Sequence, residues 1–515
     1  MNKHFQVGCS LMALSMFLTA CSPKNETAQA QENGLTILAG SEIKAIEPLL
    51  KEAEKELGFP ISIKYVGTIE GVENIKAGEN YSIAWFGNAK YFYESPETAQ
   101  RIKLSEKIMF SPVIIGVKED IAKANAIESN KNYTWKDIAS WVKDKNMTYA
   151  MTDPSVSNTG YVALMGVTYA TANKGENLKL EDINPVVLKE FFKGQKVTAK
   201  SSSWLMDAFQ TDPSIDFIIN YESAILTHNT QNPKKLVPIY PLEGIVTSDY
   251  PILLLDSAKT EKYKSLVNYL KSAKVQKSLV ENYKYHSVLP EVMAKQTVFD
   301  NNQLLVEMPF NPSATLSDAI LTAYFNDYKK PAKFVFVVDT SGSMSGEREA
   351  MLKDTIKRLT SGNISKFAAL RNRETVTVIP FSDQPYDSKV FSDKEQLNMA
   401  TYVNNLQMDG GTAMYDGVEM AIKKLQEEMK NDKNNYSYSV IVLTDGAANK
   451  GHNYQEFAQW YAAQNLKLGD IRVFAISFGE ADTDELTRMT RLTGGNFFDG
   501  KSSLSSTFKD IRSYQ

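Results

Sequence analysis

The sequence predicts an α/β protein made of two folded units, and three observations support this class. Short, continuously apolar strands alternate with helical patterns from about residue 34 to 297, and the same alternation returns from residue 333 onward. Hydrophobic residues make up 43% of the chain, which is enough to bury sizeable cores. At about 150 residues per domain, 515 residues allow three domains. The first unit is therefore long enough to contain two lobes.

Composition excludes several classes of function. The formal net charge of −4 lacks the basic excess of a general nucleic-acid binder, so we expect no nucleic-acid partner. The two cysteines, Cys9 and Cys21, both lie in the first 21 residues. Between residues 22 and 515 the sequence therefore has no disulfide framework, no zinc–thiolate cluster and no catalytic thiol. Four histidines in the whole chain make a His-rich metal site a poor expectation.

The first 20 residues have the pattern of a signal peptide. Lys3 and His4 precede the apolar stretch 5–20, which is shorter than the roughly 20 apolar residues of a membrane-spanning helix. The sequence LTAC at 18–21 resembles the lipobox of bacterial lipoproteins. This resemblance implies removal of residues 1–20, acylation of Cys21 and anchoring to a membrane outside the cytoplasm, in the periplasm or at the cell surface. An ordinary secretory signal with a chance cysteine is the alternative.

Residues 21–33 then form a polar tether, and the first unit covers residues 34–297. Its opening strands are LTILAG (35–40), ISIKYVG (61–67) and SIAWFG (82–87), with a helix predicted at 43–57. Continuous apolar strands of this kind favour parallel sheets covered on both faces. A connector follows at 298–332, and its helical run 314–328 places Leu316, Ile320, Leu321 and Tyr324 on one face. That face predicts packing against a domain rather than a swinging linker.

The order of motifs in this first unit resembles the type 2 periplasmic solute-binding proteins of ABC importers. The matching segments are LTILAGSE (35–42), FSPVIIGVK (110–118), TDPSVSNTGYVAL (152–164), FIINYESAIL (217–226) and TSDYPILLL (247–255). The resemblance implies two α/β lobes that close over a ligand held by loops at the carboxyl ends of strands.

Two helix starts in this unit are candidate ligand contacts. The loop before residue 160 carries Ser155, Ser157, Asn158 and Thr159, and Ser41 offers a second helix start. Free N–H groups at a helix start suit an anion or another strong acceptor, although ordinary N-capping explains the same residues. By resemblance, Tyr221 and Glu222 match the hinge-side motif of the family, and Glu222 argues against a highly charged anion. We therefore expect a small-molecule or oxyanion ligand without naming it.

The last unit, residues 333–515, contains the most informative motif. The strand FVFVVD (334–339) runs into the sequence DTSGSM, and a helix is predicted at about 346–361. Further apolar strands are TVTVIPFS (375–382), SVIVLTDG (439–446) and RVFAISFG (472–479). Strands that alternate with helices in this way predict a doubly wound sheet with its ligand crevice at the carboxyl ends of the strands.

Five oxygen-bearing side chains are expected to meet in that crevice: Asp339, Ser341, Ser343, Thr412 and Asp445. Two carboxylates and three hydroxyls suit a hard cation such as Mg²⁺ or another divalent ion. Because hydroxyls do not neutralise a metal, a coordination position is left that can take a carboxylate from a partner.

This set resembles the metal-ion-dependent adhesion site of von Willebrand factor type A domains, with no substitution in its five positions. The resemblance implies that Ser341, Ser343 and Thr412 contact the ion directly. Asp339 and Asp445 would act directly or through water. A degenerate domain that keeps the fold without the metal is the alternative.

Three functions follow from these features. The leading interpretation is a membrane-tethered lipoprotein that binds an acidic group of a protein partner through Mg²⁺, with a solute-binding-like module for a small ligand. The second is an ABC-import receptor with an accessory type A domain. The third, a metal-dependent hydrolase, is disfavoured because position 341 is Ser and no nucleophile–base set stands out. We therefore expect no enzymatic activity.

Overall fold

The computed structural model describes residues 33–514 apart from 130, 244, 301–302, 304, 309–312, 362–368, 433–434, 479–482 and 501–503. The signal peptide, Cys21 and the tether as far as residue 32 lie outside the described residues. Within the described ranges, no helix is both long and apolar enough to cross a bilayer.

Residues 33–297 form the N-terminal unit, which contains twelve described strands and thirteen described α-helices. The strands are β1 Leu35–Gly40, β2 Ile61–Val66, β3 Ile83–Trp85, β4 Leu104–Lys107, β5 Met109–Lys118, β6 Tyr149–Thr152, β7 Gln195–Ala199, β8 Phe217–Tyr221, β9 Leu236–Ile239, β10 Thr247–Ser248, β11 Pro251–Leu254 and β12 His286–Ser287. The helices are α1 Glu47–Leu57, α2 Thr68–Lys76, α3 Lys90–Tyr93, α4 Pro96–Ala99, α5 Glu119–Ala124, α6 Trp135–Lys145, α7 Asn158–Ala172, α8 Pro185–Lys193, α9 Ser202–Thr211, α10 Glu222–Gln231, α11 Thr260–Leu270, α12 Ala273–Glu281 and α13 Pro290–Met293. The predicted helix 43–57 is a 3-10 turn, Ser41–Ile46, followed by α1.

Two sheets divide this unit into two lobes. The first lobe has the strand order β2-β1-β3-β11-β4. The second has the order β10-β5-β8-β6-β7, with β9 and β12 also paired to β5. The chain passes between the lobes at Ile108, which joins β4 to β5, and at residues 249–250, which join β10 to β11. These two short crossings place a cleft between the lobes.

The sheets are mixed, so the expectation of purely parallel sheets is wrong in this unit. Strand β1 is parallel to β2 and β3, but β11 is antiparallel to both β3 and β4. Strand β5 is likewise antiparallel to β8 and β9. Parallel neighbours need a crossover connection, usually a helix. Strands β5 and β11 instead enter their lobes directly from the crossings, and they run against their neighbours.

The connector packs as predicted, with one local difference. Helix α14, Ala314–Ala323, ends in a π-helical turn, Tyr324–Tyr328, rather than continuing as one α-helix. Ile320 and Tyr324 are fully buried. The Tyr324 hydroxyl donates to Gln195 Oε1 at 2.8 Å, and the Tyr161 hydroxyl donates to Ser317 Oγ at 2.7 Å. The connector is therefore fixed to the second lobe.

The C-terminal unit is a doubly wound sheet whose first strand begins at Ala332, one residue before the predicted boundary at 333. Its described strands are β13 Ala332–Asp339, β14 Thr375–Phe381, β15 Lys389–Ser392, β16 Ser437–Thr444, β17 Arg472–Ser477 and β18 Phe497–Asp499. Its described helices are α15 Glu347–Ser361, α16 Met399–Asn404, α17 Met414–Asp432, α18 Tyr454–Ala462, α19 Thr483–Leu492 and α20 Leu504–Arg512. The strand order is β15-β14-β13-β16-β17-β18, and the edge strand β15 is antiparallel to β14. The predicted α/β fold class is thus confirmed.

Alternating side chains of β13 supply two separate cores. Val335 and Val337 belong to the apolar cluster under α17 and α18, whereas Phe334 and Phe336 belong to the cluster on the opposite face. A strand buried on both faces reads as a continuous apolar run, which explains why FVFVV was predictable.

The C-terminal unit packs on the second lobe. The Trp204 ring meets the Tyr514 ring edge-on, with centroids 4.5 Å apart. Lys200 Nζ lies 2.7 Å from Asp510 Oδ1 of the C-terminal unit and 3.1 Å from Glu70 Oε2 of the first lobe. One lysine therefore contacts both carboxylates across the cleft and the unit boundary.

Candidate functional site

The first group of predicted residues lies at the carboxyl edge of the C-terminal sheet. Strands β13 and β16 are parallel neighbours, so their carboxyl ends place Asp339 and Asp445 side by side. Asp339 is fully buried. Its Oδ1 accepts a hydrogen bond from the Ser341 amide at 2.8 Å, and its Oδ2 accepts one from Thr444 Oγ1 at 2.6 Å. Both carboxylate oxygens are thereby fixed in orientation.

Ser341, Ser343 and Asp445 form a continuous chain of side-chain contacts. Ser341 Oγ lies 3.0 Å from Ser343 Oγ, and Ser343 Oγ donates to Asp445 Oδ1 at 2.9 Å. The DTSGSM loop makes this possible because it turns into a short 3-10 helix, Gly342–Met344, directly after β13. Four of the five predicted residues are thus brought together.

The loop that carries Thr412 lies against the same edge. The Gly342 amide donates to the Gly410 carbonyl at 3.1 Å, with Gly410 in the left-handed region at φ +81° that favours glycine. The Thr412 amide donates to Asn449 Oδ1 at 2.8 Å. Thr412 is only 3% exposed, and within the described part of the chain its hydroxyl has no hydrogen-bonding partner. Because none of the hydrogen bonds of the described residues involves this oxygen, it is available to a ligand.

The electrostatics of the site centre on two buried carboxylates. Burial raises the pKa of Asp339, hydrogen bonds from Ser341 and Thr444 lower it, and the charge of Asp445 raises it further. Arg348, at the start of α15, donates to Asp445 Oδ2 and to the Ser343 carbonyl, the latter at 3.0 Å. Arg348 was not among the site residues predicted from the sequence. In the sequence, the signal for Arg348 was its position one helical turn after the DTSGSM motif, from which its side chain can reach back toward that loop.

These residues fit a hard divalent cation. The donors are carboxylate and hydroxyl oxygens, the types that Mg²⁺ prefers, and one of them is the unpartnered Thr412 hydroxyl. Among the described residues, no group of three or more His, Cys, Asp and Glu side chains is arranged to hold a metal. A cation at this edge would therefore depend on the serine and threonine hydroxyls as much as on the two aspartates.

The second group of predicted residues lies at the cleft between the lobes. A cavity of about 340 Å³ is lined by Ser41 and Tyr221, together with Glu42, Asp207 and Tyr285. The Glu42 carboxyl lies over the helix start and accepts from backbone amides of Glu42 and Gly87 and from the Tyr221 hydroxyl, the last at 3.5 Å. Burial raises the pKa of Glu42 to about 7, although these hydrogen bonds oppose the rise. Glu42 was not among the predicted site residues. Its carboxylate thus accepts the hydrogen bonds that were expected to go to an anionic ligand.

The four polar residues at the start of α7 do not line this cavity. They are buried and their side chains are bonded to protein: Ser155 Oγ to Asp153 Oδ1 at 2.6 Å, Ser157 Oγ to Thr159 Oγ1 at 3.1 Å, and Asn158 Nδ2 to Tyr221 Oη at 3.0 Å and Ser248 Oγ at 2.8 Å. The side chain of Ser157, the N-cap residue, caps no backbone amide. Simple capping therefore does not explain these residues.

The loop before α7 instead joins the two lobes. The Ile69 amide of α2 donates to the Val156 carbonyl at 3.3 Å, and the Tyr91 hydroxyl donates to Asn158 Oδ1 at 3.1 Å. A Cβ at Gly87 would lie 2.8 Å from Tyr221 Oη, so the absence of a side chain there permits the close approach. The structure thus assigns this loop to contacts across the closed cleft.

Glu222 is turned away from the cleft cavity, contrary to the sequence argument that used its charge there. Its carboxyl accepts from the Tyr240 hydroxyl at 2.5 Å and lies 2.5 Å from His286 Nε2. The carboxyl that faces the cavity belongs to Glu42. The signal for Glu42 was its place directly after the helix start at Ser41.

Comparison with known proteins gives two family matches. The model of the von Willebrand factor type A domain matches residues 334–513, and the model of the bacterial extracellular solute-binding protein matches residues 35–283. Inter-alpha-trypsin inhibitor heavy chain H3 is 24% identical over 292 residues in both Pongo abelii and Homo sapiens. These matches cover 52% of this chain and 32% and 31% of the two relatives, so the chain spans about a third of the curated relatives' length.

Similar solved structures include two periplasmic binding proteins. The protein AfuA from Actinobacillus pleuropneumoniae, bound to fructose-6-phosphate, is 18% identical with a TM-score of 0.44, covering 57% of this chain and 98% of its own. A periplasmic thiamin binding protein is 14% identical with a TM-score of 0.44, covering 56% and 94%. By its family matches, the chain joins a bacterial extracellular solute-binding domain to a von Willebrand factor type A domain.

Proposed function

We propose that this protein works outside the cytoplasm as a binding protein whose type A domain holds one divalent cation. Asp339, Ser341, Ser343, Thr412 and Asp445 would hold the ion, with Mg²⁺ as the expected species. The observation that carries the proposal is the unpartnered Thr412 hydroxyl beside the Ser341–Ser343–Asp445 chain. A hydroxyl that no described protein group bonds, close to two carboxylates, offers an oxygen to a hard cation.

The partner proposed for this site is a protein that offers an acidic side chain. Two carboxylates balance a divalent charge only when both bind directly, and the hydroxyls add no charge. A bound ion would therefore supply a positive centre to which a partner's carboxylate can bind. Arg348, which bonds Asp445, is 38% exposed at the rim, so a partner's carboxylate can also approach its guanidinium.

A pull-down with the lipid-free protein tests this proposal. We expect a partner that is retained in Mg²⁺, released by EDTA and not retained by Thr412→Ala, because the variant removes one metal-binding oxygen. Thr401→Ala, at an exposed threonine of the same domain, should retain it. A partner set unchanged by EDTA and by Thr412→Ala would contradict metal-dependent binding.

A second function, solute reception, is supported by the cleft. The cavity presents the Glu42 and Asp207 carboxyls and several hydroxyls, which favours a small polar ligand over a highly charged anion. Delivery of that ligand to an ABC importer is the corresponding role. In a thermal-shift screen we expect a stabilising ligand whose effect is lost in Tyr221→Phe. A hit that acts equally on wild type and Tyr221→Phe would place binding elsewhere.

We further propose binding rather than catalysis, and attachment to a membrane through a lipid on Cys21. Growth with a labelled fatty acid should label the wild-type protein and leave Cys21→Ser unlabelled and in the soluble fraction. Label on Cys21→Ser would contradict the anchor. Turnover of phosphoester or peptide substrates would contradict the absence of catalysis.

A further inference from the structure

A small cavity lies where the second lobe, the connector and the C-terminal unit meet. Its volume is about 30 Å³, room for roughly two waters at 10–15 Å³ each. Ser437 and Arg472 stand at the amino ends of β16 and β17, so this cavity is at the edge of the sheet opposite the candidate metal site. It is also separate from the cleft between the lobes, since the two cavities share no lining residue.

Four cationic side chains line this cavity: Lys196, Lys329, Lys330 and Arg472. Ser437 also lines it, and its hydroxyl is buried with no hydrogen-bonding partner among the described residues. Thr198 and Ser439 add further hydroxyls to the wall. The wall is therefore rich in hydrogen-bond donors and carries a concentrated positive charge.

Carboxylates balance only part of that charge. Lys196 Nζ lies 3.9 Å from Asp212 Oδ2 and 4.0 Å from Asp470 Oδ1, and the same two aspartates act on Arg472. Two carboxylates thus face two of the four cations. The remaining pair, Lys329 and Lys330, makes no ion pair in the described part of the chain.

Lys329 and the charged groups around it add to the excess of positive charge. It is 7% exposed, and the charged groups that act on it are Asp153, Glu374, Arg371 and Arg512. Glu374 is already bonded to Arg512 at 2.6 Å and lies 3.4 Å from Arg371. Lys330 is repelled by Lys196 and Lys193. Burial lowers the pKa of each lysine to about 8, so both still carry charge at neutral pH.

We infer that this cavity binds one small inorganic anion, a halide or a single oxyanion, held by Lys329, Lys330 and the Ser437 hydroxyl. An anion would balance the charge that the carboxylates leave, and it would satisfy a buried hydroxyl. An open groove of about 600 Å³, also lined by Lys329 and Lys330 and flanked by Lys189, Lys193 and Arg373, gives it a route from solvent. The bound anion joins the type A domain, through Ser437, to the connector, through Lys329 and Lys330.

Thermal unfolding of the lipid-free protein tests this inference, at constant pH and ionic strength and in EDTA. We expect the wild-type Tm to rise when gluconate is replaced by chloride or by phosphate. Lys329→Met should remove that dependence, and in gluconate it should melt no lower than wild type because a buried unpaired charge has been deleted. Lys330→Met should behave alike. Lys136→Met, at an exposed lysine of the first unit, should keep the wild-type response.

Equilibrium dialysis with radioactive chloride and phosphate gives a readout independent of stability. We expect one ion of at least one type per chain, lost in Lys329→Met or Lys330→Met. Binding should be retained in Tyr221→Phe, which separates this cavity from an anion bound in the cleft. Binding of neither ion, or equal binding by wild type and both lysine variants, would overturn the inference.

Discussion

Replacement of Asp339 by asparagine is expected to abolish Mg²⁺ binding while the protein remains folded. Asparagine keeps the size of the side chain, and its Oδ1 can still accept from the Ser341 amide. What it loses is one of the two negative charges among the five predicted residues. Outer-sphere changes typically cost 10- to 100-fold in metal affinity, so we expect this change to cost at least about 100-fold.

Calorimetric titration with Mg²⁺ measures this effect directly. Wild type should bind one equivalent, and Asp339→Asn should give only heats of dilution with an unchanged circular dichroism spectrum. Asp354→Asn, in an exposed ion pair with Arg358 on α15, should bind like wild type and serves as the charge-matched control. Equal heats from wild type and Asp339→Asn would remove Asp339 from the site.

Glu42 gives the second large effect, a pH dependence of stability. Its pKa is about 7 in the folded protein against 4.5 for an ordinary glutamate, so the folded state holds a proton that the unfolded state releases between these values. The free energy of unfolding should therefore fall as pH rises through this window, by about 3 kcal/mol in total between about pH 4 and pH 8. Glu42→Gln, which resembles the protonated carboxyl, should lack this fall.

Urea unfolding across this pH range, at constant salt, measures the difference between the two proteins. The difference in unfolding free energy, Glu42→Gln minus wild type, should increase steadily with pH and level off above about pH 8. Glu52→Gln, at an exposed glutamate of α1, should track wild type throughout. A constant offset between wild type and Glu42→Gln would mean that another group titrates in this window.

The sequence predicted the strands well because most of them are buried on both faces. Strand β1 was predicted with its observed bounds, and the runs that became β13 and β16 were placed to within about two residues. The directions of the strands within the sheets were predicted less well. The antiparallel β11 follows from a two-residue crossing between lobes, and an apolar run such as PILL carries no sign of its direction.

In the candidate sites, the sequence likewise predicted the positions of the side chains better than their contacts. The convergence of Asp339, Ser343 and Asp445 was predictable because parallel strands end at one edge of a sheet. The contacts of Asn158 were not predictable, because its hydrogen-bonding partners Tyr91 and Ser248 are 67 and 90 residues away in the sequence. A hydroxyl or amide at a helix start binds a ligand or a neighbouring side chain equally well. Only tertiary packing decides between the two.

Both candidate sites also contain a charged residue that was not predicted from the sequence. Arg348 contacts the outer oxygen of Asp445, and Glu42 accepts from the amides at the cleft. Each lies within five residues of a predicted contact, on the helical turn that the motif opens. The residues just after a motif therefore deserve the same scrutiny as the motif itself.

We expect the five oxygen-bearing side chains of the C-terminal unit to surround one divalent cation. Anomalous diffraction from crystals soaked in Mn²⁺ tests it most directly. We expect a single strong peak within direct bonding distance of the Ser341, Ser343 and Thr412 hydroxyls, removed by an excess of Mg²⁺. A peak elsewhere, or none between these three hydroxyls, would contradict it.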